Sequence, residues 1–537
     1  MFARPGTAAL FEQFAADGIT HMFGNPGTVE QGWLDLVDRS PLDYVLTLHE
    51  AAAVGIADGY ARAAQRPALV QLHSGVGLGN GIGMLYQAKR GHSPLVVLVG
   101  EAGVRYESMD GQMAADLVAM AEPVTKYAAR VVDPSSVLRM LRRAVKIAMT
   151  PPRGPVVLVL PADVLDQVTT EPAVATSVPS TRAVPADRDI RQAADLLSGA
   201  RNPIVLMGDG IAASGAQPEL AAVAEHLGAP VWGVDSSEVN LDTTHPLYAG
   251  QLGHMFGSAS ARVVAGADAV LIVGTYVFPE VFPSLRSPFR DDARIVHLDL
   301  DAYEIAKNFP VTLGMVADPK AGLAALADEL ARRPAARPRP APPAPAPAPA
   351  GGGHPLMEAF TRRLAERAPH DLAVFDEALT ASGPLLRNLP PRRPGHYFQT
   401  RGGSLGVGIP GALGMKLARP HLPVIGFTGD GGSMYTFQAL WTAARYRINA
   451  GFVVCNNHRY QLLDDNLDVY RRETGTRPHV HPDAFDLSRP DTDFAGLARA
   501  LGTDGIRVQR PQDIDDAVDA LLRQDTPVLV DLRITQP

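Results

Sequence analysis

Val424-Ile-Gly-Phe-Thr-Gly-Asp430-Gly-Gly-Ser433 runs from an apolar segment into a glycine-rich turn, and Phe452-Val-Val-Cys455-Asn456-Asn457 follows one helix length later. Each apolar segment is short and has the unbroken hydrophobicity of a strand buried on both faces, a mark of parallel sheets covered by helices. Between them Tyr435 to Tyr446 carries helix formers, with Leu440, Trp441 and Ala444 on one side, and residues 447–451 break the pattern. Strand, helix and parallel strand form one crossover unit. Asp430 and Asn457 are therefore expected side by side at the C-terminal edge of one sheet, where open α/β sheets bind ligands. A glycine-rich turn at that edge aims backbone N–H groups at an anion such as a diphosphate. Asp430 adds a hard oxygen suited to Mg²⁺ or Ca²⁺.

An internal control shows what carries this signal. Gly208-Asp209-Gly210 is a second Gly-Asp-Gly after an apolar run, yet the same offset from it lands on Asp235-Ser236. The spacing to a paired Asn after a strand is the informative part, and the tripeptide alone is weak.

Composition narrows the class of partner. With 537 residues the chain is too long for one core and predicts about three domains. A formal charge of -8 argues against an electrostatic grip on nucleic acid or on an anionic membrane, so a small-molecule partner is expected. The single cysteine, Cys455, rules out an intrachain disulfide framework and reads as a small buried hydrophobe. No signal peptide or membrane-length apolar run is visible, which leads to a cytoplasmic expectation.

Working outward along the chain, strand and helix patterns alternate from the start. Thr7 to Ala16 reads as a helix, and Ile19 to Phe23 as a strand ending in Gly24-Asn25-Pro26-Gly27-Thr28. Asp43 to Thr47 is a second strand leading into a helix of small residues, His49 to Arg62, whose surface lets another helix pack closely. Strands at 68–72, 95–99 and 156–160 continue the alternation, and Gly75-Val-Gly-Leu-Gly79 reads as a strand-to-helix turn. It lacks the downstream acid of a dinucleotide fingerprint. Residues 166–187 read as a connector, and apolar runs at 202–207, 230–234, 268–274 and 295–300 predict a second sheet. Arg333 to Gly353 is rich in Pro and Ala and ends in three glycines, a composition that buries no core. The expected architecture is three α/β, doubly wound parallel-sheet domains, at 1–165, 188–332 and 354–537, with 333–353 as a linker.

Several further segments then fall into place: Phe23-Gly-Asn-Pro-Gly27, His49-Glu-Ala51, Gly55-Ile-Ala-Asp-Gly-Tyr-Ala61, Leu72-His-Ser74, His92-Ser-Pro-Leu95 and Ala439-Leu-Trp-Thr-Ala-Ala444. With Gly429-Asp-Gly431 and Asn456-Asn457, their order resembles that of the thiamine diphosphate-dependent 2-oxo acid decarboxylases. Within that family, in the acetolactate synthase-like superfamily, the pattern is most similar to the benzoylformate decarboxylases. The resemblance implies pyrimidine-binding, central and diphosphate-binding domains, thiamine diphosphate with Mg²⁺ or Ca²⁺, and no FAD. It implies Glu50 as the carboxylate that protonates the aminopyrimidine ring, so that the ring's imino nitrogen can take the thiazolium C2 proton. Asp430, Asn457 and the Arg459 carbonyl are implied as metal ligands, and Gly431, Gly432 and Ser433 as the diphosphate cradle. Leu405 is the implied wedge beneath the cofactor, with the Gly403 carbonyl accepting from its aminopyrimidine. His73 is implied as a proton carrier near the reacting carbon, and Thr28 falls where relatives place a substrate-binding serine.

Gln112, Val281, Leu462 and Asn466 fall at substrate-pocket positions. Val281 stands where the benzoylformate decarboxylases carry a second active-site histidine, and Thr275 to Pro283 contains none. His254 and His458 are the histidines that could substitute, and Glu280 is the acid in that segment. The expected activity is cleavage of a 2-oxo acid to CO₂ and an aldehyde, with acyloin-forming carboligation resembling acetolactate synthase as the alternative. A non-catalytic thiamine diphosphate sensor is the alternative of another class, against which Glu50 weighs. The resemblance also implies a homo-oligomer, a dimer at least and a tetramer by expectation, with Glu50 and the metal motif meeting across a subunit interface.

Overall fold

The computed structural model describes residues 3–334 and 354–534, so the expected linker 333–353 lies, but for its first two residues, outside the described residues. The chain forms two compact units: Met1–Pro179 with His354–Leu389 and Thr400–Pro537, and Ser180–Gly353 with Pro390–Gln399.

The first unit holds two parallel sheets. In the first, the strands lie in the order Asp43–Leu46, His21–Gly24, Ala68–His73, Leu95–Glu101, Val156–Pro161 and Tyr127–Arg130. In the second, the strands belonging to this unit follow the order Ala373–Glu377, Val424–Gly429, Gly451–Asn456, Val528–Arg533 and Asp504–Val508. Central strands such as Leu95–Glu101 and Gly451–Asn456 are buried on both faces, as their uninterrupted apolar runs require. The second unit carries a six-stranded parallel sheet, ordered Tyr248–Leu252, Val231–Val234, Pro203–Met207, Ala269–Val273, Arg294–Asp299 and Leu313–Val316. In sequence rank that order is 3-2-1-4-5-6, a doubly wound arrangement.

Small residues decide how the two sheets of the first unit are joined. The helix Glu50–Ala64 packs along the helix Gly408–Ala418. A Cβ on Gly59 would lie 2.0 Å from the Gly411 carbonyl oxygen, and one on Gly414 would lie 1.9 Å from that of Ile56. The backbones therefore meet with no side chain between them.

Two expectations are corrected. The glycines of Gly75 to Gly79 form no loop: the helix Ser74–Arg90 begins directly after its strand, and they occupy its first turns. The helix expected from Tyr435 begins only at Ala439, after a run of turns over 434–438. Four strands were not among those expected from the sequence, namely Tyr127–Arg130, Tyr248–Leu252, Leu313–Val316 and Asp504–Val508. Each lies at a sheet edge and is only partly buried, so the selection for continuous hydrophobicity is missing there.

Candidate active site

The C-terminal edge of the first sheet gathers one group of polar side chains. Glu50 opens its helix directly after the N-cap His49, whose Nδ1 accepts the Ala51 N–H at 3.1 Å. The residue is only 5% exposed, and among the described residues no ion pair to it is seen. Instead Asn25 Nδ2 donates to Oε1 at 3.1 Å and Asn80 Nδ2 to Oε2 at 3.0 Å. Two amides thus satisfy both carboxyl oxygens, the condition for burying such a group without prohibitive cost. His73 ends the strand two places along the sheet, and its Nδ1 lies 2.9 Å from Oε2 of Glu30, a residue with no solvent exposure. Burial pushes the Glu30 carboxyl above the usual carboxylate range, against the opposing pull of the His73 hydrogen bond. Thr28 is exposed at the start of the short turn that carries Glu30. The same turn's Gly27 is close to the histidine: a Cβ there would fall 2.1 Å from the His73 ring.

The second sheet of that unit presents the other group. Gly429 and Cys455 are register partners on adjacent parallel strands, so Asp430 and the Asn456-Asn457 pair leave the sheet together. Asp430 is buried. Its Oδ1 accepts the Gly431 N–H at 2.8 Å, whereas Oδ2 is enclosed with no hydrogen-bond partner among the described residues. Burial raises the carboxyl, and the backbone N–H groups of Gly431, His458 and Arg459 oppose that shift. Asn457 is half-buried, with Oδ1 accepting the Arg459 N–H at 3.0 Å. The Arg459 side chain is paired with Asp464 on the helix Gln461–Thr474. At Gly431 a Cβ would fall 2.3 Å from Tyr460 Cε1, so only glycine fits beneath that ring. Gly432 is buried beside it. The Ser433 hydroxyl donates to the Asp430 carbonyl at 2.8 Å, which leaves the backbone as that residue's contribution to an anion site.

Gly403 is exposed with φ of +75°, a left-handed conformation that favours glycine, and Leu405 is half-buried rather than a core leucine. Leu462 and Asn466 stand one turn apart on the helix Gln461–Thr474, and Gln112 is exposed on a loop after the first sheet's fourth strand. In the second unit Val281 is 60% exposed and His254 is exposed. Glu280 turns inward, with Oε1 unpartnered and its carboxyl raised by burial. His458 is committed to an ion network, its Nε2 lying 3.0 Å from Asp491 and 3.2 Å from Arg533.

The residues present fit a hard divalent cation. Among the described residues no group of three His, Cys, Asp or Glu side chains could hold a metal. The set offered here is instead a carboxylate, a side-chain amide and a main-chain carbonyl, the oxygen donors of Mg²⁺ and Ca²⁺ rather than the nitrogen and sulfur donors of zinc. A buried carboxylate oxygen without a partner costs free energy unless something fills its lone pairs. Asp209, in the second Gly-Asp-Gly, shows the contrast. Its carboxylate accepts from the Ser237 N–H and hydroxyl, the Glu238 N–H and Asn240 Nδ2, at 2.5–3.2 Å.

Glu30, Asn25, Asn80 and Glu377 carry no local mark in the sequence that would single them out. Asn25 lies inside a quoted segment, but nothing local marks it as a partner of a residue 25 positions away.

Comparison with known proteins covers the same three regions. The family model described as thiamine pyrophosphate enzyme, N-terminal TPP binding domain, matches residues 4–120, the central domain matches 190–326, and the C-terminal TPP binding domain matches 381–532. The chain is 33% identical to benzoylformate decarboxylase of Pseudomonas aeruginosa, with 98% of each sequence covered. It is 29% identical to a putative acetolactate synthase large subunit of Mycobacterium tuberculosis, again over 98% of each. Among solved structures it is similar to the thiamine diphosphate-dependent 4-hydroxybenzoylformate decarboxylase of Rhodococcus jostii, with a TM-score of 0.88, 29% identity, and coverage of 99% of this chain and 100% of that one.

Proposed function

The chain belongs to the thiamine pyrophosphate enzyme family, and from that premise we propose that it catalyses the non-oxidative decarboxylation of a small-molecule 2-oxo acid to CO₂ and an aldehyde. The observation that carries this reading is Glu50: a buried carboxyl held by two amides, beside His73, at the edge of the sheet matched by the N-terminal TPP-binding model. A protein that only stored the cofactor would have no use for an acid enclosed in this way. Asp430, Asn457 and the Arg459 carbonyl hold Mg²⁺ or Ca²⁺, and the backbone of Gly431, Gly432 and Ser433 cradles the diphosphate. Bound there, thiamine diphosphate supplies the carbon nucleophile and electron sink on which loss of CO₂ depends. Leu405 and the Gly403 carbonyl orient the rings. Glu50 holds the proton that the aminopyrimidine needs, and Thr28 offers a hydroxyl to the substrate carboxylate. Glu30 occupies His73 Nδ1, so Nε2 is the nitrogen that moves a proton at the product carbon. Gln112, Leu462 and Asn466 shape the substrate pocket in this reading, which also takes the domains as 1–165, 188–332 and 354–537. The working form is a cytoplasmic homo-oligomer, a dimer or tetramer, in which Glu50 of one subunit meets Asp430 of another.

Val281 favours a second activity. An aliphatic side chain at the position of the expected second histidine removes a proton carrier, and general acid help is worth about 10²–10⁴-fold. Transfer of the acyl group to an acceptor aldehyde then competes with aldehyde release, as in the carboligases. Release of CO₂ from a panel of aliphatic and aromatic 2-oxo acids, with thiamine diphosphate and Mg²⁺ added, tests the main reading; turnover of none of them rejects it. Product analysis with excess acceptor aldehyde tests the second. Quantitative aldehyde without acyloin shows that His73 protonates well enough alone.

A further inference from the structure

Glu377 ends the strand Ala373–Glu377 and is 1% exposed. Its Oε1 accepts the N–H groups of Gly406 at 2.6 Å and Val407 at 3.3 Å. Its Oε2 accepts the Gly408 N–H at 2.7 Å and the Thr428 hydroxyl at 3.0 Å. All four donors are uncharged. Three belong to the backbone that follows Gly403 and Leu405 into the helix Gly408–Ala418, and the fourth lies on the strand Val424–Gly429, which leads to Asp430. The junction is tight, since a Cβ on Gly408 would lie 2.7 Å from the Phe427 carbonyl oxygen and 2.9 Å from Glu377 Oε2. A Cβ on Gly432, in the diphosphate turn, would come within 3.8 Å of the Glu377 carboxyl carbon. One side chain therefore ties the wedge loop to the strand before the metal ligand and lies close to the anion turn.

Such an arrangement is costly. A fully buried carboxyl with no cationic partner suffers the whole desolvation penalty, which pushes its pKa up to about 7 despite the four donors. An apolar side chain would fill the space at lower cost but could not join loops whose N–H groups all point at one spot. Costs of this kind concentrate where a site must be held in one geometry.

We propose that Glu377 is a positioning residue, whose carboxylate sets the loop bearing Gly403 and Leu405 against the strand and turn bearing Asp430, so that both grips on the cofactor exist before it binds. This inference rests on the thiamine diphosphate reading above. Glu377→Gln is the test, because an amide presents its NH₂ to at least one N–H or hydroxyl donor and leaves buried donors unpaired.

The cofactor dissociation constant of the full-length parent is measured first, by tryptophan fluorescence with saturating Mg²⁺. The variant is measured in the same way at a temperature well below its Tm. Glu377→Gln is expected to weaken binding about tenfold or more, the equivalent of one buried hydrogen bond. In the cofactor-free protein, amide exchange at Gly406 and Gly408 should quicken while the strand Val424–Gly429 stays as protected as in the parent. A lower Tm with binding unchanged within about twofold would make Glu377 merely structural and overturn the inference. Should Glu377→Gln fail to fold, Thr428→Val removes a single donor; weaker binding with a Tm near the parent's supports the inference, and unchanged binding overturns it. A parent that binds no thiamine diphosphate overturns the cofactor reading itself, and the inference falls with it.

Discussion

Glu30 Oε2 lies 2.9 Å from His73 Nδ1, although Glu30 sits in the turn after one strand and His73 at the end of another, 43 positions apart. The contact exists because Gly100 leaves room for it: a Cβ there would fall 1.9 Å from Glu30 Oε1. A carboxylate on Nδ1 selects the tautomer and rotamer of the ring and leaves Nε2 for chemistry. Replacing Glu30 by Ala should lower kcat/KM by about ten- to hundredfold, because the ring loses its orientation. Glu30→Gln keeps an acceptor for Nδ1–H and should recover most of that loss. Steady-state kinetics checks the ranking, and ¹⁵N chemical shifts of the His73 ring in the cofactor-free protein check the tautomer.

Asp430 Oδ2 is enclosed and has no hydrogen-bond partner among the described residues, and the proposed metal ion would complete it. Asp430→Ala and Asn457→Ala should each weaken thiamine diphosphate retention by about hundredfold or more, since the ion neutralises the diphosphate. Cofactor remaining after gel filtration, measured as thiochrome fluorescence, decides the point. Retention equal to the parent's would remove these residues from the metal site.

Glu50→Gln preserves shape but cannot donate the proton that a carboxylic acid does. Cofactor binding should survive, while exchange of the thiazolium C2 proton slows by about 10²–10⁴-fold. Exchange followed by NMR at matched cofactor saturation is the measurement, and an unchanged rate would exclude Glu50 from the chemistry.

Gly59 sits in the helix crossing that joins the two sheets of the first unit, where backbone meets backbone. Gly59→Ala places a methyl 2.0 Å from the Gly411 carbonyl oxygen, a contact only a backbone shift can relieve. The expected cost is about 2–3 kcal/mol of stability. Denaturant midpoints with an unchanged m-value would confirm it.

Asp299, at the end of the strand Arg294–Asp299, is pushed up to about 7 by burial and by the neighbouring Asp301 and Glu304 charges. A carboxyl that binds its proton more tightly in the folded state than in the unfolded chain stabilises at low pH. That contribution is lost as pH rises from the ordinary carboxylate range to about 7. Asp299→Asn should therefore raise Tm above about pH 7 and leave it nearly unchanged below about pH 4. Thermal melts across that window read the difference. A parallel fall in both proteins would place the titration elsewhere.

What the sequence determined by itself was local. The strand, turn and helix order at the centre of each sheet, the pairing of Asp430 with Asn457 at one edge, and the close-packing helix expected at 49–62 follow from periodicity and from short crossover connections. Gly-Asp-Gly at 429–431 was separated from its twin at 208–210 by spacing alone. Tertiary structure then showed the physical counterpart, a spare oxygen on Asp430 against a crowded Asp209. The folded chain alone decided the partners of Glu50, the Glu30–His73 contact and the four donors converging on Glu377. Each joins residues brought together by separate strands, and no residue in the sequence advertises its distant partner. The four edge strands were equally invisible, because a strand open to water on one side needs no continuous apolar run. Burial leaves a pattern along the chain, whereas satisfaction of a buried polar group is a property of the neighbours that folding supplies.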